Sequence, residues 1–166
     1  EKILEMDEVT DLPRIYGELV ELSRKCQESV GLGLASMNDN IAGIAHRAIA
    51  GPLSRLETVL GMLAGLLGRI EISRLHLSRS LYLSSLSLDD VAELKTLYQL
   101  GLQNLCSESN DRAAELFDKA NQLAKERSYP NLIYLIAAAL SRFLSGEEEI
   151  ATSQLEQARG QIEDDK

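Results

Sequence analysis

Apolar positions along this chain recur at three- and four-residue intervals, the spacing that gathers them on one face of an α-helix. Ile15, Leu19, Leu22 and Cys26 mark a first helix over about 12–29. The stretch 30–40 holds Gly31, Gly33, Asn38 and Asn40 and reads as a break. A short helix over about 41–50 then ends at Gly51. From Pro52 onward the pattern predicts six more, at about 52–67, 70–84, 89–106, 111–127, 130–144 and 147–163. Pro13, Pro52 and Pro130 each stand where a helix can begin, since the first turn has no use for the missing N–H. Ser145 with Glu148 has the spacing of a capping box, and Ser87 with Asp90 is a weaker version. Glu147, Glu148 and Glu149 place negative charge where a helix dipole favours it. The connections are short, so neighbouring helices must run antiparallel. One segment competes with this reading: Leu75-His76-Leu77 and Leu81-Tyr82-Leu83 alternate with the period of a strand. A helix accounts for them if two stripes are buried, Ile70, Leu77 and Leu81 on one, Ile72, Leu75 and Leu86 on the other.

The pattern also repeats at long range. Twelve, sixteen and nineteen residues after Gly61 come Ser73, Leu77 and Ser80. The same offsets from Gly101 give Ala113, Phe117 and Ala120, and from Ala139 they give Ala151, Leu155 and Ala158. Seven residues after the anchor, Gly68 and Gly146 fall at the turn between paired helices. Antiparallel helices approach to about 8–10 Å when a contact position is small. Gly61, Gly101 and Ala139 supply that position on the first helix of each pair, and Ser73, Ala113 and Ala151 on the second. Leu77, Phe117 and Leu155 are then expected to fill the space between pairs, because a single hairpin cannot bury both sides of its second helix.

This arrangement resembles the tetratricopeptide repeat, most closely over 97–120, where Leu100, Gly101, Ala113, Phe117 and Ala120 all agree with that family's signature. The resemblance covers about 52–161. It departs in length, with intervals of 40 residues from Gly61 to Gly101 and 38 from Gly101 to Ala139 against about 34. It also departs in the early large residue, which is Glu57 in the first repeat, and in the aromatic, replaced by Ala64, Asn104 and Arg142. The expected fold is all-α: a single domain with 1–51 as a degenerate N-terminal repeat or helical cap. Residues 52–166 would form three antiparallel hairpins stacked as a right-handed α-solenoid.

In that family the first helix of each hairpin lines a concave surface. The resemblance implies exposed inner positions at Arg55, Thr58 and Met62, at Lys95, Tyr98 and Leu102, and at Ile133, Ile136, Leu140 and Phe143. The Lys, Asn and Arg clamp that some members use on a C-terminal carboxylate is not reproduced, because Tyr98 and Leu102 stand where Lys95 would need polar partners. The row is apolar instead. It suits a peptide or an amphipathic helix laid in a groove, with Met62, Lys95, Tyr98, Leu102, Ile133, Ile136, Leu140 and Phe143 as the contacting residues. The alternatives are a terminal helix of the same chain packed there, association with a second copy, or a signal- or peptide-sensing module of a larger regulatory protein.

Composition narrows the classes. Of 166 residues 45% are hydrophobic, enough for a core, and the formal charge is −9. That charge argues against binding a nucleic-acid backbone or an anionic membrane surface directly. No apolar run approaches the ~20 residues that span a bilayer. The chain opens on Glu1 with no apolar leader, so it reads as a piece of a longer, intracellular and cytoplasmic protein. Cys26 and Cys106 are too isolated for a disulfide framework or a zinc site, and aromatics are only 4%. Gly31-Leu32-Gly33 lacks the third glycine, the preceding strand and the Lys-Ser/Thr pair of a phosphate loop. His46 and His76 have no partner at metal-ligand spacing and read as surface or satisfied core residues. Asp89-Asp90 and Asp164-Asp165 sit at helix ends, where capping or solvation explains them. No catalytic residue, metal or cofactor is expected.

Overall fold

The computed structural model describes residues 11–35 and 39–164. Seven helices carry them: α1 (Leu12–Ala35), α2 (Asp39–Leu66), α3 (Ile70–Ser87), α4 (Asp90–Cys106), α5 (Asn110–Glu126), α6 (Leu132–Leu144) and α7 (Glu148–Asp164). No strand occurs among the described residues. The chain divides into two compact units, 1–92 and 93–166. The first contains α1 to α3; α4 enters the second within its first turn, and α5 to α7 follow.

Two expected breaks fall differently in the structure. Gly31 and Gly33 lie inside α1, and Asn40 inside α2; Asn38 lies outside the described residues. Pro52 does not start a helix but sits within α2, so the expected boundary at residue 51 falls inside a helix. Proline in a helix interior removes one hydrogen bond at a cost of about 3 kcal/mol. The cost is tolerated where the flanking turns are buried, as Ala50, Gly51 and Ser54 are, and the Ser54 hydroxyl donates to the Gly51 carbonyl at 2.8 Å. At both expected capping boxes the serine hydroxyl turns back to its own preceding helix. The Ser145 hydroxyl donates back to Ser141 O at 3.1 Å, and that of Ser87 to Leu83 O at 3.0 Å. Asp89 caps α4 instead, its carboxylate accepting from the Ala92 N–H at 3.1 Å.

The turns are more regular than the helices. Gly68, Leu88, Glu108, Ser128 and Gly146 all have positive φ, between 56° and 82°. After each, the next N–H bonds the carbonyl five residues back: Arg69 to Ala64, Asp89 to Ser84, Ser109 to Asn104, Tyr129 to Ala124 and Glu147 to Arg142. This is the Schellman closure of a helix C-terminus. It recurs at intervals of 20, 20, 20 and 18 residues. One helix and one turn therefore make a unit of about 20 residues, and the long period of the sequence is two such units.

In the first unit α2 packs on both α1 and α3. Tyr16, Leu60 and Ala64 form its apolar centre, flanked by Leu19, Val20, Leu56, Leu63 and Leu67. A Cβ on Gly61 would lie 2.6 Å from Leu77 Cγ, so this position must lack a side chain. Hydroxyls also join the α2–α3 seam. Thr58 and Ser80 share a hydrogen bond of 2.7 Å, Ser80 also donates to Ser54 O at 2.8 Å, and Ser73 donates to Gly61 O.

The second unit is close-packed by alanine around one ring. Phe117 is fully buried among Ala113, Ala138, Tyr98, Leu102, Leu105 and Ala137. A Cβ on Gly101 would come within 2.6 Å of Phe117 Cζ. Ala120, Ala124, Leu135, Ala139, Ala151 and Ala158 are buried along α5, α6 and α7. Leu155, expected between pairs, is half-exposed, because nothing in this unit covers that edge of α7.

Candidate functional site

The eight residues expected to contact a partner do not share one environment. Met62 belongs to the first unit, on the exposed side of α2. Its expected neighbour Thr58 is buried, bonding Ser54 O and Ser80, and Arg55 is exposed and paired with Asp89 at 2.8 Å. In the second unit Lys95 is exposed on α4. Tyr98 and Leu102 are partly buried. The Tyr98 ring lies 5.5 Å from Phe117 and 5.9 Å from Tyr134, and Leu102 packs beside it in the same cluster. An aromatic ring beside two others gains more from edge and tilted contacts than from solvent.

The four α6 residues are different. Ile133, Ile136, Leu140 and Phe143, with Leu144 beside them, are 43–58% exposed. The opposite side of α6 is fully engaged, with Leu135, Ala138, Ala139 and Ser141 buried. Arg142, the one charged residue of α6, is drawn aside by Asp118 and Glu147. Asp118 also accepts from Gln154 at 3.0 Å, so this polar knot ties α5, α6 and α7 together. What remains outward is an unbroken apolar stripe. A helix apolar all round is stable in water only when something covers the second face.

A second arrangement had no local trace in the sequence. Glu57, in α2, is almost completely buried, yet its carboxylate is fully partnered. Ser23 donates to it at 2.9 Å, Gln27 at 3.1 Å, and His76 Nδ1 lies 2.6 Å away. The other ring nitrogen hydrogen-bonds the Tyr16 hydroxyl at 3.1 Å. Burial by itself would raise the Glu57 carboxyl; the hydrogen bonds from His76 and Ser23, and the charges of His76 and Arg79, outweigh it and hold the group below the ordinary carboxylate range. The Arg69 guanidinium covers the Tyr16 ring at 5.4 Å. His76 is thus a core histidine with both nitrogens used; the His46 side chain lies outside the described residues. The network joins α1, α2 and α3.

No group of three or more His, Cys, Asp or Glu among the described residues is placed to hold a metal ion. No described helix is long and apolar enough to cross a membrane. A depression on α1, bordered by Gly17, Glu18, Glu21, Leu22 and Lys25, runs along one exposed helix face. Comparison with protein-family models, with curated proteins and with solved structures finds no match to this chain.

Proposed function

We propose that this chain is a protein-interaction module of tetratricopeptide-like hairpins, stacked as a solenoid, that presents the outer face of α6 to an apolar helix. The carrying observation is the pair of faces on α6: one packed on α5 and α7, the other apolar and open at Ile133, Ile136, Leu140 and Phe143. The even spacing of the turns supports the repeat reading, since equal helix-turn units are what a stacked array requires. The stripe follows the 3–4–3 spacing by which one helix seats against another. Binding of this kind rests on a few anchors with a solvated rim, so two central residues should dominate.

Calorimetric titration with designed amphipathic helices carrying leucine at the same spacing tests the placement. The wild-type chain is expected to bind with a dissociation constant on the order of micromolar. Leu140→Asp with Phe143→Asp should weaken binding at least tenfold while the circular dichroism stays unchanged, because both side chains are surface groups. Equal affinity in wild type and variant would overturn the α6 assignment.

A further inference from the structure

We propose that the occupant of the α6 face is a second copy of this chain, paired antiparallel about a two-fold axis level with Ala138. The proposal rests on the docking reading above and names its partner. Three features carry it.

The first is the symmetry of the stripe. Ile133, Ile136, Leu140 and Phe143 are separated by three, four and three residues. That series reads the same in both directions. In an isologous contact residue i of one copy meets residue j of the other while j meets i. An antiparallel pair centred on Ala138 sets Ile136 against Leu140 of the second copy and Ile133 against Phe143, and brings Leu144 level with Leu132.

The second is charge. Glu147, Glu148 and Glu149 stand at the C-terminal exit of α6, and only Glu147 has its charge answered by Arg142. The N-terminal approach carries Lys125 and Arg127, with Glu126 between them. The antiparallel register brings each acidic exit to the other copy's basic approach, and each helix C-terminus to the other's N-terminus, where the dipoles attract. A parallel register would set Glu148 and Glu149 against their own copies. The net charge of −9 opposes association in general, but at physiological salt charges beyond about 8 Å are screened and local pairs decide.

The third is the composition of the stripe. Apart from Arg142, which is held within its own unit, no charged side chain has to be desolvated when α6 is covered. Five large side chains make a contact below the standard ~800 Å² per partner, so the dimer is expected to be weak and concentration-dependent.

Sedimentation equilibrium of the full chain over a hundredfold concentration range tests this. Wild type should shift from monomer to dimer with a dissociation constant on the order of micromolar to tens of micromolar. Leu140→Asp should remain monomeric throughout, with an unchanged melting temperature showing that the fold survives. Glu148→Lys with Glu149→Lys should weaken dimerisation several-fold, and adding Lys125→Glu and Arg127→Glu should recover it. A wild type that stays monomeric, a Leu140→Asp chain that still dimerises, or charge exchange that fails to restore pairing would each overturn the antiparallel dimer. A monomeric wild type that nevertheless binds the designed helices through Leu140 would leave the docking reading standing with a different protein as partner. A monomer that binds no helix would end both.

Discussion

The α2–α3 seam and the α5–α6 seam bring helices together by different means. In the first unit the buried face of α3 is Ser73, His76, Leu77, Ser80 and Ser84, and the helices are joined by hydroxyls, backbone carbonyls and one buried carboxylate. In the second the buried face of α5 is Ala113, Ala114, Phe117, Ala120, Asn121 and Ala124, and contact is made by methyl groups around a ring. Each unit also has a glycine with no room for a Cβ: Gly61 faces Leu77 in the α2–α3 seam, and Gly101 of α4 faces Phe117 of α5. Close approach is therefore the shared requirement, and the chemistry that fills the remaining space is interchangeable. The consequences for stability are not. An apolar seam loses stability in proportion to the volume removed, whereas a polar seam fails when one partner leaves another buried and unsatisfied.

Substitutions at the two centres should show this most strongly. Phe117→Ala is expected to destabilise the second unit by about 3–5 kcal/mol through the cavity it leaves. His76→Ala should cost the first unit about as much, roughly 3–5 kcal/mol, although it removes fewer packing contacts, because Glu57 is left charged in the interior. Hydrogen exchange read separately in α3 and α5 assigns each loss to its unit. Replacing Glu57 and His76 together by leucine should return much of the first loss. A His76→Ala variant as stable as wild type would show that the network contributes nothing.

Gly61→Ala and Gly101→Ala form the next test, expected to cost about 1–3 kcal/mol each by denaturant titration, since the clashing atoms belong to buried side chains. Phe117→Leu should relieve part of the penalty at Gly101. Acid should then separate the units. The folded Glu57 carboxyl is held below its ordinary value of about 4.3. Its contribution is complete above that value and is lost as pH falls through the lower folded one. Exchange protection in α2 and α3 should decline in acid before that in α5, whose unit has no buried carboxylate among its described residues. Simultaneous loss would remove the distinction. The smallest effect lies in the turns. Leu88→Gly, Glu108→Gly and Ser128→Gly should each raise stability by about 0.5–1 kcal/mol, because these residues hold a left-handed conformation that glycine adopts freely.

The contrast also explains which parts of the fold were legible beforehand. The alanine and phenylalanine face of α5 announces itself by spacing, and so do the small contact positions Gly61 and Gly101. The buried face of α3 has the same helical spacing but is written in serine and histidine, so a pattern of apolar residues picks out Leu75 and Ile72, which are half-exposed. Glu57 looked like a lost core position because the residues that satisfy it, Ser23 and His76, lie 34 and 19 positions away. The α6 stripe was legible because an all-apolar helix shows every exposed face as readily as every buried one. Tyr98 and Leu102 were placed on that surface by analogy of position; both are partly buried beside the ring of Phe117.

The even placement of the left-handed turns has a consequence for how this chain tolerates changes in length. A residue inserted within α5 would rotate everything after it by about 100° and carry Ala120 and Ala124 out of their seams. The 127–131 connection is two residues longer than that between Cys106 and Asn110, and α6 after it has 13 residues where α5 has 17, so the change in length is taken up at the joint and the helix end. Insertions and deletions are thus admissible at the joints, or in whole helix-turn steps, and are excluded from the spans between them.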